Sequence, residues 1–282
     1  MILMLSGLFI LSGSHLTAQE SIKKETREVA AFTGIDVGGA FEVLLSQGDA
    51  IEVVVETEEK FLEKVKTKVE GEVLELSSTG IKNADHLKVY VTLPELKSID
   101  VHGAASIDFT TALKGDKLHI KASGASDAKL DLYYDFLETR VSGAATLKLS
   151  GEVTEHHCEV SGAGTLWAGH LDSKIANATA SGAGSAVISA TDKVISSTSG
   201  AGTVDLTTKP EKLSIVSGEI VGETENINVY TNDYGDTTKV RVAGIKVEVI
   251  ENDSTKVIIG NRKITVDESG NVKWCKVKKR KF

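Results

Sequence analysis

The apolar residues of this chain fall on alternate positions for most of its length. In "FTGIDVGGAFEVLLSQGDAIEVVVE" (32–56), Ile35 and Val37, then Phe41, Val43 and Leu45, then Ile51, Val53 and Val55 keep one parity. Gly-rich or Gly-Asp breaks separate the three groups, which predicts three successive half-buried strands. In "TEEKFLEKVKTKVEG" (57–71), Phe61, Leu62 and Val65 recur at helical spacing and predict a short helix. "GEVLELSS" and "LKVYVTLPELKSIDV" then resume the strand pattern, with Pro94 marking a break between two strands.

From residue 100 the alternation acquires a second, longer period. A Gly-Ala pair recurs with its glycine at Gly103, Gly124, Gly143, Gly162, Gly182 and Gly200, at intervals of 21, 19, 19, 20 and 18 residues. Serine precedes the glycine at every anchor except the first, where His102 stands. Four residues before the anchors from Gly124 onward lie Ile120, Thr139, Cys158, Ala178 and Ser196. Four after the six anchors lie Ile107, Ala128, Leu147, Leu166, Ala186 and Val204. Both columns alternate with polar ones, as half-buried strands require. Repeats built from helix pairs need about 33 residues or more, so a period near 19 excludes them. At about 3.3 Å per residue such a unit traces about 60 Å, enough for one triangular coil.

The predicted fold is therefore all-β: a parallel β-helix of about 19-residue coils, with the N-terminal strands capping one end. Six or seven coils at about 4.8 Å would give a stack about 30 Å tall. Glycine is expected to let the backbone turn or approach its neighbour, the alanine after it to form a thin wall between facing sheets, and the recurring serines to form a hydrogen-bonded ladder. After Pro210, "KLSIVSGEIVGETENINVYTN" reads as a last coil. "GDTTKVRVAGIKVEVIEN" and "NDSTKVIIGNRKITVDESGN" read as a β-hairpin ribbon. The predicted organisation is a signal peptide (1–18), a polar leader (19–31), the β-helical domain (32–230, repeat coils about 100–215), the ribbon (231–272) and a basic tail (273–282).

Composition sharpens this in three places. Aromatic residues make up 5% and there are 26 glycines but only 2 prolines, which fits strands packed through small side chains. A formal net charge of −8 argues against a nucleic-acid binder, which needs a basic face. The apolar run "ILMLSGLFIL" (2–11) has signal-peptide length and is too short to span a bilayer, so the mature chain is expected to begin near Gln19 outside the cytoplasm. Six basic residues without an acid in "KWCKVKKRKF" suggest peripheral contact with an anionic surface.

No catalytic, cofactor or metal constellation emerges. A glycoside hydrolase needs two carboxylates on one groove, and acids in equivalent coil positions do not adjoin: five residues past the anchors stand Asp108, Lys129, Lys148, Trp167, Val187 and Asp205. Neighbouring strand residues point to opposite faces, so His156 and His157 of "HHC" cannot readily share an ion, and His170 adds no familiar spacing. Cys158 reads as a small buried hydrophobe rather than as half of a bridge to Cys275. Trp167 follows inward-facing Leu166 and should face out; with Tyr133 and Tyr134 it makes up the candidate ligand-facing residues.

The opening segment, the "LKVYVTLPELKSIDVHGAAS" that leads into the coils, and the repeated S-G-A-(A/G/S)-(S/T/D) resemble the autotransporter adhesin head GIN domain over roughly residues 32–215. The resemblance implies a secreted bacterial β-helix, often from Bacteroidetes-type organisms, with an adhesin role and no catalytic residues. "DTTKVRV" and "DSTKVIIG" resemble segments that precede a β-barrel in longer outer-membrane proteins. The expectation is a non-enzymatic, extracytoplasmic adhesin-like module of the periplasm, outer membrane or cell surface, with an envelope protein or glycan as partner. The alternatives are a carbohydrate-active enzyme on the same scaffold and a structural spacer for an outer-membrane partner.

Overall fold

The computed structural model describes residues 21–81, 84 and 86–217, and beyond them the strand segments 220–222, 227–229, 239–242, 245–248, 255–259, 262–266 and 272–276. The expected signal peptide, residues 19–20 and residues 277–282 of the basic tail lie outside the described residues. The polar leader contributes β1 (Ile22–Arg27), followed by β2 (Gly34–Gly39), β3 (Glu42–Gln47) and β4 (Glu52–Glu58). The expected helix is a single 3-10 segment, Glu59–Lys64, that buries Phe61 and Leu62, because Val65 already begins β5 (Val65–Glu70). After β6 (Val73–Ser78), β7 (Leu87–Leu93), β8 (Ser98–Gly103) and β9 (Ser106–Phe109), the coils proper follow. They comprise β10 (Leu113–Ala122), β11 (Asp127–Val141), β12 (Thr146–Val160), β13 (Thr165–Ala180), β14 (Ser185–Ile188), β15 (Lys193–Thr198), β16 (Thr203–Leu206) and β17 (Lys212–Ser217).

Each coil pairs in parallel with the next, as in Leu147 opposite Ala128 on one side and Leu166 on the other. The fold is a β-solenoid, with five complete coils between Gly103 and Gly200. Parallel pairing continues through 220–222, 227–229 and 239–242, and the predicted ribbon is antiparallel, 239–242 with 245–248 and 262–266 between 255–259 and 272–276. The strand 272–276 thus includes the first residues of the predicted tail. The corners are legible in burial. Along β12 the inward residues run Leu147 and Leu149, then Val153 after a gap at 150–152, then His156, Cys158 and Val160 on the opposite parity, so the alternation is interrupted twice and three sides result. Every member of the two predicted apolar columns is buried.

The turn at each anchor is the element that sets the register. Its glycine has a positive φ, between 66° and 78° from Gly103 to Gly200. From Gly143 onward the amide three residues after the serine bonds back to the serine carbonyl, as in Gly164 to Ser161 at 3.1 Å, and at Gly124 the Ser126 hydroxyl donates to Ser123 O at 2.9 Å. A positive φ at the first central position alone defines a turn type that glycine dominates. The next residue's amide reaches down the stack: Ala144 to Gly124 O at 2.8 Å, Ala163 to Gly143 O at 2.8 Å, Ala183 to Gly162 O at 2.7 Å. Glycine therefore rests on glycine, and a Cβ at Gly124 would stand 2.6 Å from Gly103 O. The ladder has a rung that the even spacing hides. Gly39, 64 residues before Gly103, accepts the Ala104 amide at 2.7 Å and sits directly beneath Gly103.

Two expectations about this motif are corrected. The alanine after each anchor is exposed at the turn crest, not a wall between sheets; the following residue, Ala105, Ser126, Ala145, Gly164, Gly184 or Gly202, is the one that points inward. The recurring serine works through its backbone, since its carbonyl closes the turn, and among the described residues no side-chain hydrogen bond links these hydroxyls.

The first coil, β2 and β3, is closed off by the inserted segment 48–97. On one side β2 pairs with β6 and β6 antiparallel with β5; on the other β3 pairs with β7, β7 with β4 and β4 with β1. The outermost strands, "IKKETR" and "VKTKVE", carry lysines that discourage further pairing. Glu56 ties this cap together. Its carboxylate receives Lys24 at 2.9 Å, Tyr90 OH at 2.9 Å and His86 at 2.6 Å. Burial pushes the Glu56 carboxyl up, but the hydrogen bonds from Lys24, Tyr90 and His86 outweigh it and hold the carboxyl down at about 2.

The ladder geometry predicts a graded series. Gly124→Ala combines a left-handed strain of about 1–2 kcal/mol with a backbone overlap of about 1–3 kcal/mol. It should lower the urea midpoint more than Gly182→Ala, whose Cβ would stand 3.1 Å from Gly162 O. Exposed Ala144→Ser should stay within about 0.5 kcal/mol. Equal losses at the three positions would refute the stacked-glycine account.

Candidate functional site

Because the coils stack in register, outward side chains form straight columns along the stack. On the side that leads into the turn, one column runs Gly34, Ser98, His119, Glu138, His157, Asn177 through β2, β8, β10, β11, β12 and β13. The adjacent column runs Asp36, Asp100, Lys121, Arg140, Glu159, Thr179 on the same strands. At the first column's end Ser98 occupies the space beside Gly34, where a Cβ would stand 2.4 Å from Ser98 Oγ. An open hollow of about 440 Å³ lies along these columns, lined by Asp36, Ser98, Asp100, His119, Lys121 and Arg140 among others. Two smaller hollows, about 270 and 200 Å³, adjoin it, and Arg140 lines all three.

Charges within this furrow are paired both along a strand and across coils. The Arg140 guanidinium lies 2.6 Å from Glu138 and 3.7 Å from Glu159. His119 Nδ1 is 2.9 Å from the other Glu138 oxygen, His102 Nε2 is 3.1 Å from Asp36, and Lys121 Nζ is 3.9 Å from Asp100. One rung over, Glu155 and Asn177 both lie within hydrogen-bond distance of His157 Nε2, at 2.5 and 2.7 Å. Phe136 is flanked by the His119 and His157 rings, with centroids 6.3 and 5.0 Å away and planes tilted by 57° and 68°. Three rings from three neighbouring strands thus form a row whose two imidazoles line the hollows. The face contains acids, bases, hydroxyls and rings at coil spacing, which suits it to hold an extended polar ligand rather than to concentrate one charge.

The sequence matches the family described as "Putative auto-transporter adhesin, head GIN domain" over residues 31–210, well over half of the chain. The chain belongs to this family. Solved structures share the fold of this head GIN domain. A putative adhesin from Bacteroides fragilis is 21% identical with a TM-score of 0.65, the match covering 76% of this chain and 97% of that one. A putative lipid binding protein from Parabacteroides distasonis is 15% identical with a TM-score of 0.53, covering 80% and 98%. A putative adhesin from Parabacteroides merdae is 17% identical with a TM-score of 0.51, covering 80% and 97%. At these identities the likeness establishes the fold. No curated protein matches the chain.

The head GIN domain separates the three aromatic residues expected to face a ligand. Trp167 is 51% exposed, as predicted, and stands between Lys148 and Val187 on the side of the coil that follows the turn. Tyr133 is 43% exposed, but it lies two coils away and four positions further along its coil, beneath Lys114 at 5.5 Å. Tyr134 is corrected: it is 4% exposed, part of the core, and its hydroxyl donates to Leu96 O at 3.0 Å. Adjacent strand residues face opposite ways, so Tyr133 and Tyr134 could not both face out. The acids also depart from expectation. Glu75, Asp36 and Asp100 stand side by side on β6, β2 and β8, because β2 and β6 join the stack from outside the regular repeat. The furrow residues were within reach of the anchor register, since His119, Glu138, His157 and Asn177 all lie five residues before an anchor.

The "HHC" stretch divides as alternation requires. His156 and Cys158 point into the core and His157 outward, with exposed His170 on another side of the coil. Burial raises the Cys158 thiol to about 12, so it is a packed hydrophobe at neutral pH. Burial, with a smaller contribution from His157, lowers His156 to about 3, and its neutral ring sits 3.0 Å from the Thr139 hydroxyl. The unfolded chain takes up a proton at this residue near its ordinary 6.5 while the folded chain does not. Stability from His156 is therefore complete above pH about 6.5 and falls as the pH drops toward 3, by at most about 1.4 kcal/mol per unit. In urea titrations between pH 6.5 and 5, His156→Gln should show a shallower pH slope than the parent chain; identical slopes would show that His156 is protonated in the folded state.

Proposed function

We propose that this head GIN domain is a non-enzymatic, adhesin-like interaction module that acts outside the cytoplasm at the bacterial envelope and holds its ligand along the furrow centred on Arg140. The observation that carries the reading is the continuity of the three hollows through that one side chain. A rigid stack of parallel coils presents these residues without needing a ligand to order them, which limits the entropy lost on binding. Family membership and the adhesin names borne by two of the similar structures support the same reading. The furrow acids support binding over turnover: Glu138 is held between His119 and Arg140, Asp36 by His102 and Asp100 by Lys121.

The test is co-sedimentation of the full chain with bacterial envelope fractions, beside a reducing-sugar release assay on the same material. Envelope binding that weakens about tenfold in Arg140→Ala, with no sugar released, is the expected result. Sugar release abolished by Asp36→Asn or Asp100→Asn would replace the proposal with a carbohydrate-cleaving enzyme, and binding that is indifferent to Arg140 would move the ligand off this face.

A further inference from the structure

Resting on the reading above, the geometry points to the chemical class of the ligand: we infer that the furrow takes a neutral, extended oligosaccharide lying parallel to the solenoid axis, with its sugar rings against the His119–Phe136–His157 ring row. Three independent features lead there.

The first is the charge pattern. Along the furrow the outward column reads Asp36, Asp100, Lys121, Arg140, Glu159, and each cation lies against a carboxylate of a neighbouring coil. A polyanion would meet a carboxylate within one coil of every cation, about 4.8 Å away, and a polycation would meet the converse. Vicinal hydroxyls of a neutral sugar can instead donate to a carboxylate and accept from a guanidinium in the same stretch.

The second is the ring row. Phe136 is half-buried on an outward position, an unusual placement for the largest apolar side chain of that side; Lys117 and Glu155 stand opposite it on the adjacent strands, and its ring lies between the imidazoles of His119 and His157, two positions further along. A row of rings beside planar polar groups offers apolar contact to the C–H faces of a sugar while the polar groups meet its hydroxyls.

The third is the repeat. Polar partners recur once per coil, at about 4.8 Å, close to the advance of one hexose in an extended glycan. The 440 Å³ hollow reaches from β2 to β11 and the 200 Å³ hollow from β11 to β13, with the third beside them nearer the turn, so the furrow has room for several sugar rings in succession. At the far end the Asn177 amide lies 2.7 Å from His157 Nε2 and lines the last hollow.

Calorimetric titration of the full chain with soluble hexaoses decides the matter: β-1,4-linked glucose, N-acetylglucosamine and mannose hexaoses as extended neutral probes, maltohexaose as a coiled neutral probe, and a galacturonate hexaose as a polyanion. The inference expects at least one extended neutral hexaose to bind better than its own trisaccharide, than maltohexaose and than the galacturonate. It also expects Phe136→Leu, which keeps an apolar side chain but removes the ring, and Arg140→Met each to weaken binding at least tenfold with unchanged melting temperature, and Trp167→Ala to leave it unaltered. Preference for galacturonate, loss of binding in Trp167→Ala alone, or silence towards every extended hexaose while envelope fractions still bind would overturn the saccharide assignment and leave the interaction module standing. Silence towards both hexaoses and envelope would overturn both.

Discussion

Everything in this molecule depends on a turn in which glycine lies on glycine. The positive φ at each anchor turns the chain, and the next amide donates to the carbonyl of the glycine one coil below. A single such bond contributes about 0.5–1.5 kcal/mol net, which is modest. Its larger effect is on register. A slip of one residue would exchange the inward and outward sets along a whole coil, placing Leu147 in water and Lys148 in the core. The absence of a Cβ fixes both the turn and the closeness of the approach, so one residue type settles conformation and alignment together.

From that alignment the outward face follows. Columns such as His119, Glu138, His157 exist only because successive coils are in phase, and cross-coil ion pairs then form between residues 19 or so apart in sequence. The N-terminal insertion completes the arrangement. It closes the open end of the first coil and blunts its edges with lysines, and with β2 beside β8, Asp36 and Asp100 line one hollow at the head of the column. Packing changes along the stack as well. Early coils bury Phe32, Phe41 and many leucines, whereas later ones bury Ala176, Ala178, Ala180, Ala186 and Ala190, consistent with the shorter interval before Gly200.

Much of the fold could be read from the chain because a solenoid repeats its instructions. Five intervals close to 19 residues, with buried columns four before and four after each anchor, define the coil, its parity and its stacking partner. Gly39 escaped that reading because 63 intervening residues, including the cap, separate it from the next rung, although "GGAF" carries the same glycine-alanine step followed by an inward residue. The outward role of the recurring alanine was misread for a related reason: spacing identifies a position without saying which way a turn residue points. Pattern also favoured one of the rarest side chains, Trp167, as the ligand contact. The furrow is made from ordinary residues whose significance lies in adjacency between coils, and adjacency across β2, β6 and β8 depends on a cap that no period announces.

The most direct measurement is amide chemical-shift mapping of the isotopically labelled full chain titrated with a β-1,4-linked hexaose. The account predicts that perturbed amides cluster on the strands carrying Ser98–Asp100, His119–Lys121, Glu138–Arg140 and His157–Glu159, one group per coil along a single line. Perturbations confined to the column of Lys129, Lys148, Trp167 and Val187, with the Arg140 line silent, would contradict it.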